Sequence, residues 1–509
     1  MSSTQPAPVG PFSPQIAHKS RISARELVPL LTDWDAASGP GYRSLADRLR
    51  LLILEGRLPV GTVLPSERLL AEALDTSRTT TTSALRLLRE AGFAVSSQGA
   101  GTWTALPNDQ PAASAAASIS LDGEPGPGSG RGDFSAAAVE APPQLYGAYQ
   151  SALHELPRYL SGNGYVISGL PALRARIAER YTLRGVATTP DQILVTAGAL
   201  QALHLVLRVV ADRGDRVMVE HPTYPAAAEA IRERGARPVP LPIEDGWDVE
   251  RARTLIRQTG SQLAYLMIDF QNPTGAILGT EGRRRLGRAI AETGCTVIVD
   301  ETMAELDLRA VLPRPAGDHR PIETPRPFAA FAPAENVISL GSASKVLWGG
   351  LRIGWVRASP PLIRRLAAVR ANQDLGGSLL EQLATAQLLA DLDPILEQRR
   401  QILADRCLTL RAALAEHLPD WVAPLPEGGL SLWCRLPQPR SSQVTSAART
   451  LGITLTAGPR FGLDGAFETR LRIPYARPAE DLVAMAELLG RAWRSSDYQY
   501  FAESNLLPV

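Results

Sequence analysis

Lys345 closes the run Gly341-Ser342-Ala343-Ser344-Lys345, directly after the apolar stretch Val337–Leu340. A lysine among small residues at a strand end is placed to attack an aldehyde and form a Schiff base. Seven residues on, within Gly349-Gly350-Leu351-Arg352-Ile353-Gly354, Arg352 can return to grip a phosphate with its planar fork. Asp300 ends the apolar run Cys295–Val299. A carboxylate there is costly to bury unless paired. A pyridinium N–H is a suitable partner, and such a pair keeps the ring nitrogen protonated. Asn272, in Gln271-Asn272-Pro273-Thr274-Gly275, can donate to an anionic oxygen. Tyr224 follows the strand-like Val217–Glu220 and can cover one face of a flat ring. Taken alone, it reads more readily as a packing aromatic. Gly198-Ala199-Leu200 follow the apolar Ile193–Thr196 and open a helix whose exposed amides can hold a phosphate. Taken alone, that segment is equally a plain strand–helix turn.

These residues must be positioned by an alternation of short apolar strands and helices, which runs from 140 to 500. Ahead of it, residues 106–139 are mostly Ala, Pro, Gly and Ser, and read as a flexible linker. Residues 21–105 form a small head, and 1–20 a Pro- and Ser-rich tail expected to be disordered. The chain has 509 residues, 53 Lys plus Arg against 52 Asp plus Glu, and 45% apolar residues. That excludes a chain disordered throughout and a strongly basic, histone-like DNA binder, but not a local DNA-binding module. Three scattered cysteines, Cys295, Cys407 and Cys434, offer neither a disulfide framework nor a zinc site. No metal is expected. The first residues lack the apolar region of a secretory signal. The most apolar stretch, Ile193–Val210, is interrupted by Gln201, His204 and Arg208. A cytoplasmic protein with no membrane segment is the expectation.

In the head, Tyr42–Glu55 places Leu45, Leu49 and Leu52 or Ile53 on one helical face, with Gly56 as its stop. Ser66 caps a second helix through Leu69, Leu70, Ala73 and Leu74, and Asp75-Thr76-Ser77 turns into a third that ends at Gly92. Phe93–Ser97, the turn Gln98–Gly101 and Thr102–Thr104 read as a β-hairpin. Together these are the parts of a winged helix-turn-helix. The third helix opens Ser77-Arg78-Thr79-Thr80-Thr81-Thr82. Threonine is a poor helix former, so local stability does not account for four in a row. Hydroxyls and an arginine at a helix start suit phosphate and base-edge contacts. Between 41 and 106, eight arginines oppose six acids, which is mildly basic. The alternative on periodicity alone is a small protein-docking module.

The segment from Leu58 to Trp103, with its Leu-Pro-Ser-Glu-Arg turn, Ser-Arg-Thr-Thr helix start and Gly-x-Gly wing, resembles the GntR-type winged helix. That resemblance implies DNA contacts at Arg68, Ser77, Arg78, Thr79 and Thr80, with Gly99 and Gly101 shaping the wing. In the body, Asn-Pro-Thr-Gly at 272–275, the strand-end Asp300, Ser342-x-Ser344-Lys345 and Gly350-Leu351-Arg352-x-Gly354 resemble the type I aminotransferase fold. The resemblance implies an α/β fold with a smaller C-terminal subdomain and pyridoxal 5'-phosphate as cofactor. Its holders would be Gly198, Ala199, Leu200, Tyr224, Asn272, Asp300, Ser342, Ser344, Lys345 and Arg352. Within Arg470-Leu471-Arg472-Ile473-Pro474-Tyr475, it assigns Arg472 to the carboxylate of a bound amino compound, with Arg470 second.

Head, linker and body together resemble the MocR family of bacterial transcriptional regulators. That implies promoter DNA and a small amino effector (or the cofactor itself) as ligands, and a head-to-tail homodimer. Two departures stand out. The family's tyrosine shortly after the ring aspartate is missing from Asp300-Glu301-Thr302-Met303-Ala304-Glu305, with Thr302 as a possible substitute, and Ala199-Leu200 lack the usual polar side chains. The first argues against efficient transamination and favours sensing. A working aminotransferase with an accessory DNA-binding head is the alternative.

Overall fold

The computed structural model describes residues 21–31, 41–54, 57–58, 61–90, 92–97, 101–105, 132–244, 246–314 and 322–505. The contact pattern divides the chain into two units, Met1–Pro111 and Ala112–Val509.

The first unit contains α1 (Gly41–Leu54), α2 (Glu67–Ala73), α3 (Arg78–Glu90) and the hairpin β1 (Ala94–Ser97) and β2 (Gly101–Thr104). Leu45, Leu49, Leu52 and Ile53 of α1 meet Leu70 of α2 and Ala84, Leu85 and Leu88 of α3 in one core. Leu69, by contrast, is exposed. Leu27 and Leu31 join the same core, and the Ile22 amide donates to the Val63 carbonyl at 3.2 Å. Residues 21–31 therefore pack as part of the head. The wing glycine Gly99 and the stop Gly56 lie outside the described residues.

The four threonines of α3 divide. Thr79 is exposed and Thr80 half-buried beside the Ser77 cap, whose hydroxyl accepts from the Thr80 amide at 3.0 Å. Thr81 is buried, and its hydroxyl donates to the Glu67 carbonyl at 3.1 Å and the Arg78 carbonyl at 3.0 Å. Thr82 donates to the Glu67 carboxylate at 2.8 Å. Half of the threonine run is thus explained by the α2–α3 packing itself, a structural reason that helix propensity does not reveal.

The second unit is built on a seven-stranded sheet. Its members are β3 (Ile193–Thr196), β4 (Arg216–His221), β5 (Arg237–Pro242), β6 (Leu263–Leu266), β7 (Thr296–Asp300), β8 (Val337–Ser342) and β9 (Gly354–Arg357). The order is β3-β9-β8-β7-β6-β4-β5, parallel except for β9, which runs antiparallel to both neighbours. Both faces are covered, so the strands read as continuous apolar runs. Alternate residues serve different cores: Val217, Val219, Leu263, Tyr265 and Ile298 face one way, and Met218, Ala264, Leu266, Val297 and Val299 the other. The apolar run Tyr265–Ile268 outlasts its strand, because the Met267 amide donates to the Glu220 carboxylate at 2.7 Å instead of to a neighbouring strand.

A smaller antiparallel sheet, β10 (Ser431–Arg435), β12 (Arg470–Pro474) and β11 (Thr456–Ala457), forms the C-terminal subdomain. Leu432, Cys434, Leu471 and Ile473 bury its outer face in a core with the helices Leu392–His417 and Ala479–Asn505. Trp433, Arg472 and Thr456 are register partners on the other face. The expected linker ends earlier than its composition suggests. Phe134 and Val139 are buried in the body's core, and their apolar side chains carry 132–139 with them. Residues 1–20 and 106–131 lie outside the described residues. Among the described residues, no helix is long and apolar enough to cross a membrane.

The β3 turn and β9 meet closely: a Cβ added to Gly354 would stand 2.4 Å from the Gly198 carbonyl carbon. Gly354→Ala is expected to destabilise the body by about 1–3 kcal/mol, read as a lowered melting temperature.

Candidate functional site

The parallel strands deliver their side chains at their carboxyl ends, where an open α/β sheet binds its ligands. Asp300 ends β7 and is buried. It makes no ion pair among the described residues. Its Oδ2 accepts from the Tyr265 hydroxyl at 2.6 Å, and its Oδ1 from the Thr302 amide at 3.0 Å. Tyr265 lies opposite Ile298 in the β6–β7 register, so Tyr265, Ile298 and Asp300 share a face. Burial and the neighbouring Asp300 raise the Tyr265 hydroxyl well above its ordinary pKa, so it stays a donor. One oxygen face of Asp300 remains for a further N–H.

Lys345 follows β8 in a tight turn. The Ser342 hydroxyl donates to the Ile353 carbonyl at 3.2 Å and accepts from the Ser344 amide at 3.1 Å. Ser342 thus shapes the lysine turn through its own bonds. The Lys345 ammonium donates to the Ala137 carbonyl at 2.6 Å. Burial, then the Arg472 cation, pushes its pKa down to about 8, with Asp300 opposing. The chain has only two lysines, Lys19 and Lys345, among its 53 basic residues. Arginine supplies nearly every other cation but cannot serve as the amine nucleophile.

The helix Ala199–Val210 presents its first-turn amides beside Arg352. Gly198 caps it with φ +95°, and Arg352 itself is left-handed at φ +51°. The Arg352 Nη2 donates to the Ala197 carbonyl at 2.9 Å. A Cβ on Gly198 would stand 2.9 Å from that nitrogen. A guanidinium held against a helix N-terminus is a cradle for a phosphate. Asn272 is buried, with its Oδ1 lacking any hydrogen-bond partner. Tyr224 is half-buried. Burial raises its pKa first, then Asp300, while Arg472 and Arg352 act in the opposite direction, so all three charges reach it.

Arg472 closes the far side. It is buried, stacks 4.9 Å over the Phe461 ring and donates to the Ser135 carbonyl. Its Nε has no partner, and burial lowers its pKa to about 10. No carboxylate pairs with it among the described residues. Arg470 is occupied instead by Glu244, at 2.7 Å. A buried, uncompensated guanidinium is costly, and an anionic ligand is what relieves it.

Where a tyrosine is expected after Asp300, the turn offers none. Met303 is buried in the neighbouring core, and Thr302 borders a cavity of about 40 Å³ lined also by Tyr181, Glu301 and Trp355. Sequence reasoning passed over Tyr265, Glu220 and the carbonyls of Ser135 and Ala137. A tyrosine inside a wholly apolar strand is a readable signal, because its buried hydroxyl needs a partner. Glu220 accepts from the Met267 amide, and burial raises its pKa to about 8.

These residues fit pyridoxal phosphate. They offer a depressed lysine, a carboxylate with a free oxygen face, a buried asparagine whose NH₂ group can donate, an arginine–helix cradle and an arginine without a carboxylate partner among the described residues. In the head, Arg68, Ser77, Arg78 and Thr79 are exposed, and neither arginine makes an ion pair among the described residues. Gly101 begins β2 at φ +85°.

Three outcomes are expected. Capture of added pyridoxal phosphate by the apo-protein depends on the neutral amine, so its rate rises with pH and levels off above about 8. Removing the neighbouring cation in Arg472→Gln moves that midpoint upward, read in the growth of the visible band from pH 6.5 to about 9.5. Tyr265→Phe deletes a hydrogen bond to a charged carboxylate and weakens cofactor retention roughly tenfold, read by fluorescence titration.

Residues 148–489 match the family described as aminotransferase class I and II, and residues 41–103 match the bacterial regulatory proteins of the gntR family. A probable rhizopine catabolism regulatory protein, MocR of Rhizobium meliloti, is 30% identical, covering 77% of this chain and 80% of that protein. A 2-aminoadipate transaminase of Thermus thermophilus is 31% identical over 64% of this chain and 79% of its own length. The solved structure of LysN, an α-aminoadipate aminotransferase of Thermus thermophilus, superposes with a TM-score of 0.64 at 28% identity. It covers 72% of this chain and 93% of that one. The chain belongs to the class I and II aminotransferase family and, with a gntR-type DNA-binding domain ahead of that fold, to the regulators of the MocR type.

Proposed function

We propose that the chain is a pyridoxal-phosphate-dependent transcriptional regulator that binds promoter DNA through its winged helix and senses an amino compound through its body. The observation that carries this is Lys345, one of two lysines, set opposite the unpaired Arg472 in a chain whose head exposes an Arg-Thr helix start. When bound, pyridoxal phosphate supplies an electrophilic aldehyde and a ring that draws electrons from an attached amine. The chain's own residues do the rest. Lys345 holds the aldehyde end, and Asp300, fixed by Tyr265, keeps a proton on the ring nitrogen. Asn272 donates to the ring oxygen, and Tyr224 covers one ring face. The amides of Gly198, Ala199 and Leu200 hold the phosphate with Arg352, while Ser342 and Ser344 shape the lysine turn. Arg472 takes the carboxylate of the effector.

Arg68, Ser77, Arg78, Thr79 and Thr80 are assigned to DNA, with Gly99 and Gly101 in the wing. A homodimer fits the exposed apolar side chains Tyr146, Leu153, Leu160 and Tyr165, which follow one another along the chain. The absence of a tyrosine hydroxyl from the turn after Asp300 favours sensing over turnover.

The test is the absorption spectrum of purified protein and of Lys345→Ala, followed by a gel shift on the chain's own upstream DNA. A visible band lost in the variant, with sequence-specific binding, is expected. After borohydride reduction, the label should map to Lys345. Steady turnover without specific DNA binding would make the protein an aminotransferase. Arg78→Ala should weaken DNA binding and reduce the slope of log affinity against log salt by about 1 if it contacts phosphate.

A further inference from the structure

We infer that Gln201 and Asp374 are positioning residues for the cofactor's phosphate: they fix the Ala197 backbone, which aims the amides of Gly198, Ala199 and Leu200. This rests on the cofactor reading above and not on the DNA-binding one. Ala199 and Leu200 bring no polar side chain to the cradle. Recognition of the phosphate therefore falls to backbone N–H groups and Arg352. Backbone donors are only as well directed as the turn that carries them. That turn is fastened from three sides. The Thr196 hydroxyl donates to the Gly198 carbonyl at 3.0 Å. The Ala197 carbonyl accepts from Arg352 at 2.9 Å. The Ala197 amide donates to the Gln201 Oε1 at 2.6 Å, so Ala197 is held through both of its peptide groups.

A side-chain amide can bond either way round, and Asp374 is what orients Gln201. The Gln201 Nε2 donates to the Asp374 Oδ2, which leaves Oε1 for Ala197. An ionised carboxylate can only accept, so this sense is fixed. Burial acts to raise the Asp374 pKa, but bonds from Arg370, the Gly376 amide and Gln201 outweigh it and hold the pKa below its ordinary value. Arg370 donates to the Asp374 Oδ1 at 2.7 Å, and the Gly376 amide joins it at 3.0 Å. Arg370 is itself buried, and its Nη1 donates to the Ile167 carbonyl at 2.9 Å and to the Val195 carbonyl. The contacts thus run from Val195 in β3 through Arg370, Asp374 and Gln201, and return to the chain at Ala197. A closed ring of hydrogen bonds favours one arrangement of the turn between its ends.

Asp374 stands one side chain away from the cradle. As a bare charge it would repel a phosphate, and removing it would tighten binding. As the group that orients Gln201 it strengthens binding, and removing it loosens the hold. The two roles have opposite signs, so a single substitution separates them.

The experiment compares pyridoxal phosphate with pyridoxal on the full chain. Pyridoxal has the same ring and aldehyde but a hydroxyl in place of the phosphate. Dissociation constants are read from the growth of the visible band. In Gln201→Leu, the Ala197 amide loses its acceptor. In Asp374→Asn, the side chain keeps its size and an oxygen for Arg370, but its NH₂ now faces the Gln201 NH₂. Gln201 must then turn over and set its own NH₂ against the Ala197 amide. Both variants should bind pyridoxal phosphate roughly fivefold more weakly and pyridoxal within about twofold of wild type. An equal loss for the two aldehydes would reduce the pair to a structural role and overturn the inference. Unchanged or tighter binding of pyridoxal phosphate by Asp374→Asn would overturn it as well, because only the charge would then be felt. A wild type that forms no band with either aldehyde, or binds both equally, would sink the cofactor reading itself, and the inference with it.

Discussion

The carboxylate of Asp300 is the constraint around which the body is arranged. It is buried at the end of a central strand with no ion pair among the described residues, and the Tyr265 hydroxyl and the Thr302 amide both donate to it. The first donor exists only because β6 and β7 are parallel and in register, so that one residue of β6 looks along the sheet at the next turn of β7. The second exists because the chain turns back immediately after the strand. A sheet that places an anion so must place cations to face it. Lys345 and Arg472 arrive from β8 and from the smaller sheet; burial lowers the pKa of both, and the Arg472 cation lowers that of Lys345 further. The site is therefore a joint between two sheets.

Much of this was legible in the sequence. Strand-end residues carry chemistry because burial ends there, and the runs before Asp300 and Lys345 announce their strands by continuous apolar character. The helices of the head followed from leucine spacing and from the Ser66 cap. Contacts between distant segments were not legible. Tyr265 and Asp300 are 35 residues apart, and Arg472 and Ser135 are 337 apart, so only register and packing bring them together. The end of the linker was misjudged for a related reason. Its composition is polar and small on average, but Phe134 and Val139 are enough to bind 132–139 to the core.

The distribution of basic residues has a similar logic. Arginine serves wherever a cation must stack, fork or pair: over Phe461, against Asp269 and along the exposed helices. The one lysine among the described residues, Lys345, stands where a nitrogen must be able to lose its proton. In this chain the choice between the two cations separates holding charge from doing chemistry more sharply than any single motif does.

The partition of the threonines in α3 has a consequence for how such a protein changes over time. Thr81 and Thr82 fasten the helix to Glu67, while Arg78 and Thr79 are exposed and their side chains make no hydrogen bond or ion pair among the described residues. The outward positions can change at little cost to folding, because the residues that fasten the helix lie on its other side. A duplicated copy of this gene could change the exposed start of α3 in a few substitutions and keep its aminotransferase-like body unaltered.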